Sequence, residues 1–136
     1  FLQSLAILAV LLVINYFYHS FFTRFLDEMP IYTKLKNSGM STFVLVGLFC
    51  LFPALSEEIA IRGLLQKWLL LALSPFKALC LSSALFAMLH FSIISFPYLF
   101  AVGFLLGWVT WRTNSLYPAI ILHFIHNFIV IFYFGY

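Results

Sequence analysis

Charged residues are scarce in this sequence. Only 8% of its 136 residues are Asp, Glu, Lys or Arg, whereas about a quarter of an ordinary soluble domain is charged. Hydrophobic residues make up 65% of the chain, and a protein of this length has too little interior to hide them all from water. A soluble globular domain is therefore excluded. We expect an integral membrane protein with one membrane domain whose solvent is the lipid bilayer.

Other scarce features exclude further classes of function. The four acidic and seven basic residues are scattered and form no basic stripe, so nucleic acid is not an expected partner. The single Asp, Asp27, rules out a pair of catalytic aspartates within one chain. Neither an H-E-x-x-H zinc motif nor a G-x-S-x-G nucleophile motif occurs. Cys50 and Cys80 lie in apolar runs and are expected to be small buried apolar side chains, with a disulfide or a metal role as the alternative.

Apolar segments recur along the chain, and about 20 such residues are needed to span a bilayer. The candidate helices are residues 1–22, 42–73, 76–94, 98–111 and 116–134. Residues 42–73 could form one long helix or two pieces, and the polar residues 23–41 indicate a loop or interfacial linker. The sequence therefore predicts an all-α polytopic transmembrane helical bundle of about five to six helices, with its active site inside the membrane. An N-terminal transmembrane helix and polar linker, residues 1–41, would precede a helical core, residues 42–136.

The stretch "LSEEIAIRG", residues 55–63, places three charges between apolar runs. Charges at the bilayer centre cost at least about 2.5 kcal/mol each, so such side chains face a protein interior or a water-filled cavity. Glu58 and Arg62 are four residues apart and can pair on one helix face. Glu57 lies on a different face from Arg62 and keeps no partner in its own helix, which suits a general base or acid. A structural ion-pair cluster at a helix break is the alternative.

Histidines occur in two further apolar segments. His90 follows Phe86 by one turn in "FAMLH", and taken alone it is more simply a satisfied core residue than a ligand. In "LHFIHN", His123 and Asn127 share a helix face, while His126 is partly turned away. This pair could offer an imidazole and an amide to one substrate or ion. Hydrogen bonding between helices is the alternative.

The three segments together indicate hydrolysis of a carbonyl bond inside the membrane. A buried Glu with two His has the composition of a catalytic zinc site with an open position. The same residues could instead let Glu activate water while His and Asn stabilise an oxyanion. Both readings lead to the same class of reaction.

The ordered motifs E-E-x-x-x-R, F-x-x-x-H and H-x-x-x-N resemble those of the CPBP family of intramembrane proteases. This family is the CAAX prenyl protease type II and bacteriocin-processing group, also called ABI. In this chain the motifs read "EEIAIR" (57–62), "FAMLH" (86–90) and "HFIHN" (123–127), and the resemblance covers roughly residues 42–134. It implies an intramembrane endopeptidase in the bacterial cytoplasmic membrane. Its expected partners are the lipid bilayer and a membrane-associated peptide or protein, either prenylated or carrying a leader or sorting tail.

The resemblance also implies roles for individual residues. Glu57 would activate the attacking water, and His90 would hold or polarise that water. Glu58 and Arg62 would support Glu57 as a pair.

The resemblance assigns the oxyanion site to His123 and Asn127. Both a metal-dependent and a metal-free mechanism are argued for such proteins. We expect no cofactor, because three good ligands are not evident unless the general base is one of them. The alternative is one zinc ion held by Glu57, His90 and His123.

Two other functions stay open. The chain could be a non-catalytic bacteriocin-immunity or scaffold membrane protein of the same fold, in which case a Glu57→Ala variant would keep its function. It could also be a small proton-coupled transporter in which Glu57 and the histidines relay protons, which predicts cation or proton flux in liposomes.

Overall fold

A computed structural model describes residues 2–22 and 31–132 of the chain. Over these ranges the backbone is helical, with short turns and no strand, so the all-α class is confirmed. The six helices are α1 Leu2–Phe22, α2 Ile31–Asn37, α3 Thr42–Ala72, α4 Pro75–Met88, α5 Phe96–Thr113 and α6 Tyr117–Phe132. Asp27 and the rest of residues 23–30 lie outside the described residues.

The charged stretch lies in the middle of α3, which is a single continuous helix of 31 residues. By length and composition, α3 is the one described helix able to cross a membrane. Two stretches of wider π-helical turns interrupt it, at Gly47–Leu51 and Glu58–Gln66. Such π-helical insertions occur often at functional sites. The second stretch begins at Glu58, so the backbone changes its turn width between the two adjacent glutamates.

Helix α4 is shorter than the sequence predicts. The apolar run continues to Ile94, but the helix ends at Met88 after 14 residues. Phe91 then adopts a left-handed backbone conformation with φ of 51°, and the Ser95 backbone N–H donates to the Ser92 hydroxyl at 3.1 Å. The prediction of a helix over residues 76–94 is therefore wrong beyond Met88, and His90 lies in the turn that follows the helix. Hydropathy could not show this end, because the turn is as apolar as the helix before it.

Helices α4 and α5 pack very closely against each other. A Cβ atom at Gly103 of α5 would lie 3.0 Å from the Phe86 ring and 3.3 Å from Ser83 of α4, so glycine favours this close approach. A central apolar cluster joins α1, α3, α4, α5 and α6. Its buried members are Ile7, Leu11, Ile61, Phe86, Val102, Leu106, Val109, Ala119 and Leu122. This packing holds the five helices in place around a cavity that polar side chains border.

Candidate active site

One face of α3 carries a fully buried polar stripe of Glu58, Arg62 and Gln66, spaced four residues apart. Arg62 Nη2 donates to the backbone carbonyl of Gly103 at 2.9 Å, and Gln66 Nε2 donates to that of Gly107 at 2.9 Å. A Cβ atom at Gly107 would lie only 2.6 Å from Gln66 Oε1. Gly107 therefore leaves room for the Gln66 side chain, and the carbonyls of Gly103 and Gly107 supply buried acceptors to Arg62 and Gln66.

The ion pair predicted from spacing is present. Arg62 Nη1 donates to Glu58 Oε1 at 3.1 Å, and both side chains are buried. The guanidinium also lies over the Phe86 ring, with its central carbon 4.5 Å from the ring centroid. Such a contact adds electrostatic attraction to the pairing. Arg62 is thus held by a carboxylate, a backbone carbonyl and an aromatic face.

His123 of α6 completes this cluster. Its Nδ1 lies 2.9 Å from Glu58 Oε1, the same oxygen that accepts from Arg62. An ionised carboxylate only accepts hydrogen bonds, so the Nδ1 atom carries the proton and donates. In the neutral ring, Nε2 then bears the lone pair, and this atom lies 3.9 Å from Glu57 Oε2. Glu58 therefore sets the orientation of His123 toward Glu57.

A cavity of about 450 Å³ is bordered by Glu57, His90, His123 and Asn127, the four side chains predicted to be catalytic. Glu57 forms no ion pair with Arg62 within the described residues, and its Oε2 atom has no hydrogen-bond partner there. A second cavity, of about 250 Å³, also borders Glu57 and His90. The Glu57 carboxylate, which Arg62 does not engage, thus borders both cavities and is placed to accept a proton from water.

His90 has one ring nitrogen fixed and one available. Its Nδ1 lies 2.9 Å from the Phe86 carbonyl oxygen, which can only accept, so Nδ1 donates. The ring also packs edge-on against Phe86, with centroids 4.9 Å apart. In the neutral ring Nε2 is then an acceptor on a side chain that borders both cavities.

Asn127 bonds to a backbone carbonyl of α3 that lies four residues before a proline. Pro53 has no N–H with which to bond the carbonyl of Phe49 four residues before it. Asn127 Nδ2 donates to that carbonyl at 3.3 Å. An amide nitrogen has two N–H groups, so one donor is used structurally and one is left for a group in the cavity.

The comparison with known families agrees with this arrangement. The sequence model of the type II CAAX prenyl endopeptidase Rce1-like family matches residues 39–129, which contain all three motifs. This chain belongs to that family. The type II CAAX prenyl endopeptidases are membrane-embedded proteases, so the chain is assigned to the hydrolases and to the membrane. Neither the curated proteins nor the solved structures give a significant match.

The positions of the candidate zinc ligands in this protein give no support to the zinc alternative. Among the side chains that the structure describes, no group of three His, Cys, Asp or Glu residues is gathered closely enough to hold a metal ion. Glu57, His90 and His123 border one cavity but do not converge as a ligand set. The residues as placed do not fit the ion.

The sequence analysis did not assign to the site several polar residues that border this cavity, among them Asn15, Tyr98 and His126. Tyr98 forms a short hydrogen bond with Nε2 of His126 and accepts one from Asn15 Nδ2 at 3.1 Å. The spacing from His123 suggested that His126 turns away, yet it is buried and borders the same cavity. The available signal was Asn15, which lies near the centre of an apolar segment where an amide facing lipid would be costly.

Proposed function

We propose that this protein is an intramembrane endopeptidase in which Glu57 activates the attacking water. One observation supports this most strongly. Of two adjacent glutamates, Glu58 is fully buried and accepts from Arg62 and His123 at Oε1, whereas Glu57 is half-buried, borders the cavity and forms no ion pair with Arg62. An ion-pair cluster with only a structural role would be expected to engage both carboxylates. The division between one supporting and one available carboxylate suits general base catalysis.

The first chemical step would be attack on the scissile carbonyl. A water between Glu57 and His90 gives one proton to the Glu57 carboxylate while its oxygen bonds to the carbonyl carbon. His90 Nε2, left free by the bond from Nδ1 to Phe86, accepts a hydrogen bond from the second O–H of that water, which stays intact, and so orients the water. The product of this step is a tetrahedral intermediate with a negatively charged oxygen.

The oxyanion would be stabilised by Asn127 and His123. Asn127 supplies the N–H that Phe49 does not use. His123 can donate from Nε2 only as an imidazolium, and the Glu58 carboxylate on Nδ1 stabilises that charged form. Preorganised donors of this kind lower the barrier in a site from which water is largely excluded.

The second step would complete the cleavage. Glu57, now protonated, passes its proton to the departing amine as the carbon–nitrogen bond breaks. The intermediate collapses to a new carboxyl terminus and a new amino terminus, and the Glu57 carboxylate is restored. One water is consumed, and no metal or other cofactor enters these steps.

The proposed substrate is a membrane-associated peptide or protein, prenylated or carrying a leader or sorting tail, and the proposed location is a bacterial cytoplasmic membrane. The family description supports prenylated CAAX ends in the first instance. A catalytic group at the middle of the apolar helix α3 supports a reaction at membrane depth.

A comparison of protein termini in host membranes tests this function. One strain would carry the parent protein, one Glu57→Gln, and one Glu28→Gln as a matched control in the polar segment, all at equal expression. We expect specific cleaved termini in the parent and the control that vanish in Glu57→Gln. Identical termini in all three strains would overturn the protease proposal, and a host phenotype that persisted would then favour a scaffold or immunity role.

A further inference from the structure

A second group of polar side chains borders the cavity and forms what we call its uncharged polar wall. Unlike the wall that carries the catalytic glutamate, it has no formal charge. Asn15 of α1, Tyr98 of α5 and His126 of α6 form a continuous hydrogen-bonded chain along it. Asn15 and His126 are buried, and Tyr98 is half-buried. Three polar side chains from three helices are thus brought together inside a strongly apolar protein, and the hydrolytic steps use none of them.

An intramembrane protease must solve a problem that a soluble protease does not face. An extended peptide exposes N–H and C=O groups at every residue, and each one left without a partner in an apolar environment costs several kcal/mol. The catalytic residues serve only the scissile amide. Neighbouring amides of the substrate must find partners elsewhere in the cavity, and the uncharged polar wall is where the structure offers them.

We propose that Asn15, Tyr98 and His126 form a subsite that hydrogen-bonds the main chain of the substrate beside the scissile bond. This subsite rests on the proposed endopeptidase function. Its ligand is the peptide backbone of an extended chain rather than a particular side chain. His126 follows His123 by three residues on α6, so the subsite lies within one helical turn of the proposed oxyanion site.

A count of donors and acceptors shows what Tyr98 can offer. Its hydroxyl has one hydrogen and two lone pairs. Asn15 Nδ2 donates to one lone pair, and we assign to His126 the Nδ1–H tautomer, in which the Tyr98 hydroxyl hydrogen is directed to Nε2. One lone pair remains for a substrate N–H. Donation along such a chain polarises it, which makes that remaining lone pair a better acceptor.

Tyr98 is also held in place before any substrate binds. The ring of Tyr18 stacks on it, with centroids 5.1 Å apart and planes inclined by 17°. The Tyr18 hydroxyl is hydrogen-bonded to Ser95 at 2.8 Å, at the entrance to α5. Preorganisation of this kind reduces the ordering cost of binding. The acceptor therefore has a fixed position relative to the catalytic residues.

The test uses the full chain in lipid nanodiscs and a quenched fluorescent peptide with a prenylated cysteine. Further probes carry one N-methylated amide each, placed in turn at every residue flanking the cut, so that one N–H is removed at a time. The variants are Tyr98→Phe, which removes only the hydroxyl, and Tyr16→Phe, a matched control on the exposed side of α1. Values of kcat and KM are measured for every pair of variant and probe.

We expect Tyr98→Phe to raise KM by roughly 2- to 10-fold with little change in kcat, as the loss of one hydrogen bond predicts. One N-methylated probe should show the same rise with the parent enzyme and no additional rise with Tyr98→Phe. Tyr16→Phe should match the parent on all probes. If Tyr98→Phe fails to fold, Asn15→Leu should give a smaller rise in KM that disappears for the same probe.

Two outcomes would overturn the proposed subsite, and a third would overturn the endopeptidase function on which it rests. An equal penalty on every probe would show that Tyr98 acts on the fold alone. A fall in kcat with unchanged KM would show that it acts in the chemical step. Cleavage of the probes by Glu57→Gln at the rate of the parent enzyme would overturn the endopeptidase function itself and the subsite with it.

Discussion

The imidazole of His123 is hydrogen-bonded to Glu58, with Nδ1 2.9 Å from Oε1, and presents its other nitrogen to Glu57. Adjacent residues in the sequence therefore face the two different nitrogens of one ring. Glu58 Oε1 accepts from two donors, Arg62 and His123, whereas the nearer oxygen of Glu57 is 3.9 Å from His123 Nε2. The two carboxylates, identical in chemistry, are expected to respond differently to the same substitution.

Glu57→Gln should leave the fold intact and remove activity. The amide keeps the shape of the side chain but cannot take a proton from water, and loss of a general base costs at least about 100-fold in rate. Single-turnover cleavage of the prenylated probe measures the loss, and thermal unfolding in detergent measures stability. Activity within a few-fold of the parent would contradict the assigned role.

Glu58→Gln should reduce both stability and activity. The substitution leaves Arg62 buried without a counter-charge, and breaking a buried ion pair from one side costs about 3–5 kcal/mol. Arg62→Ala should behave in the same way, whereas Arg112→Ala, on an exposed residue, should not. Denaturation midpoints of the four proteins test this, and an inactive Arg62→Ala variant as stable as the parent would argue against a structural pair.

Substitutions of the two histidines of α6 should change different kinetic parameters. His123→Ala should lower kcat, because it removes a proposed oxyanion donor, and loss of such a donor costs about 100- to 1000-fold. His126→Ala should act mainly on KM through the hydrogen bond to Tyr98. Steady-state kinetics on the prenylated probe distinguish them. An equal fall in kcat for both would mean that His126 also takes part in the chemical step.

Gly107→Ala should destabilise the protein although it adds a single methyl group. That carbon would lie 2.6 Å from Gln66 Oε1, so Gln66 must move and its bond to the Gly107 carbonyl is strained. Overpacking of this kind typically costs about 1–3 kcal/mol. Gly47→Ala is the matched control. A Cβ atom there meets nothing within 4 Å, and alanine should stabilise α3 by about 0.5–1 kcal/mol. Equal unfolding temperatures for the two variants would contradict the close packing of α3 on α5.

Helical spacing predicted the relationships that lie within one helix. The pairing of Glu58 with Arg62 follows from four-residue spacing, and the separation of Glu57 from Arg62 follows from the same geometry. The family motifs then selected which histidines to consider. Nothing in the spacing could indicate that His123 bonds to Glu58, because that contact joins α3 to α6 across 65 residues.

The errors have equally local causes. His90 was placed inside a helix because the apolar run continues beyond Met88, and hydropathy does not record a turn made of apolar residues. His126 was set aside because it does not share a face with His123, yet a cavity of this width borders more than one face of α6. Tyr98 was read as part of an apolar span, since its hydrogen bonds depend on Asn15 in a distant helix.

The shortness of α4 has a consequence for how a substrate arrives. Its 14 residues rise only about 21 Å, against a hydrocarbon thickness of about 30 Å. An α4 that begins at one membrane surface would place the turn after it within the hydrocarbon, and Phe91 and Ile93, each 93% exposed, are suited to acyl chains. Lipids facing this turn would have to thin locally. A polypeptide anchored in the leaflet that this turn faces would need to dip only part of the way into the membrane, without crossing it, to bring its backbone to Glu57.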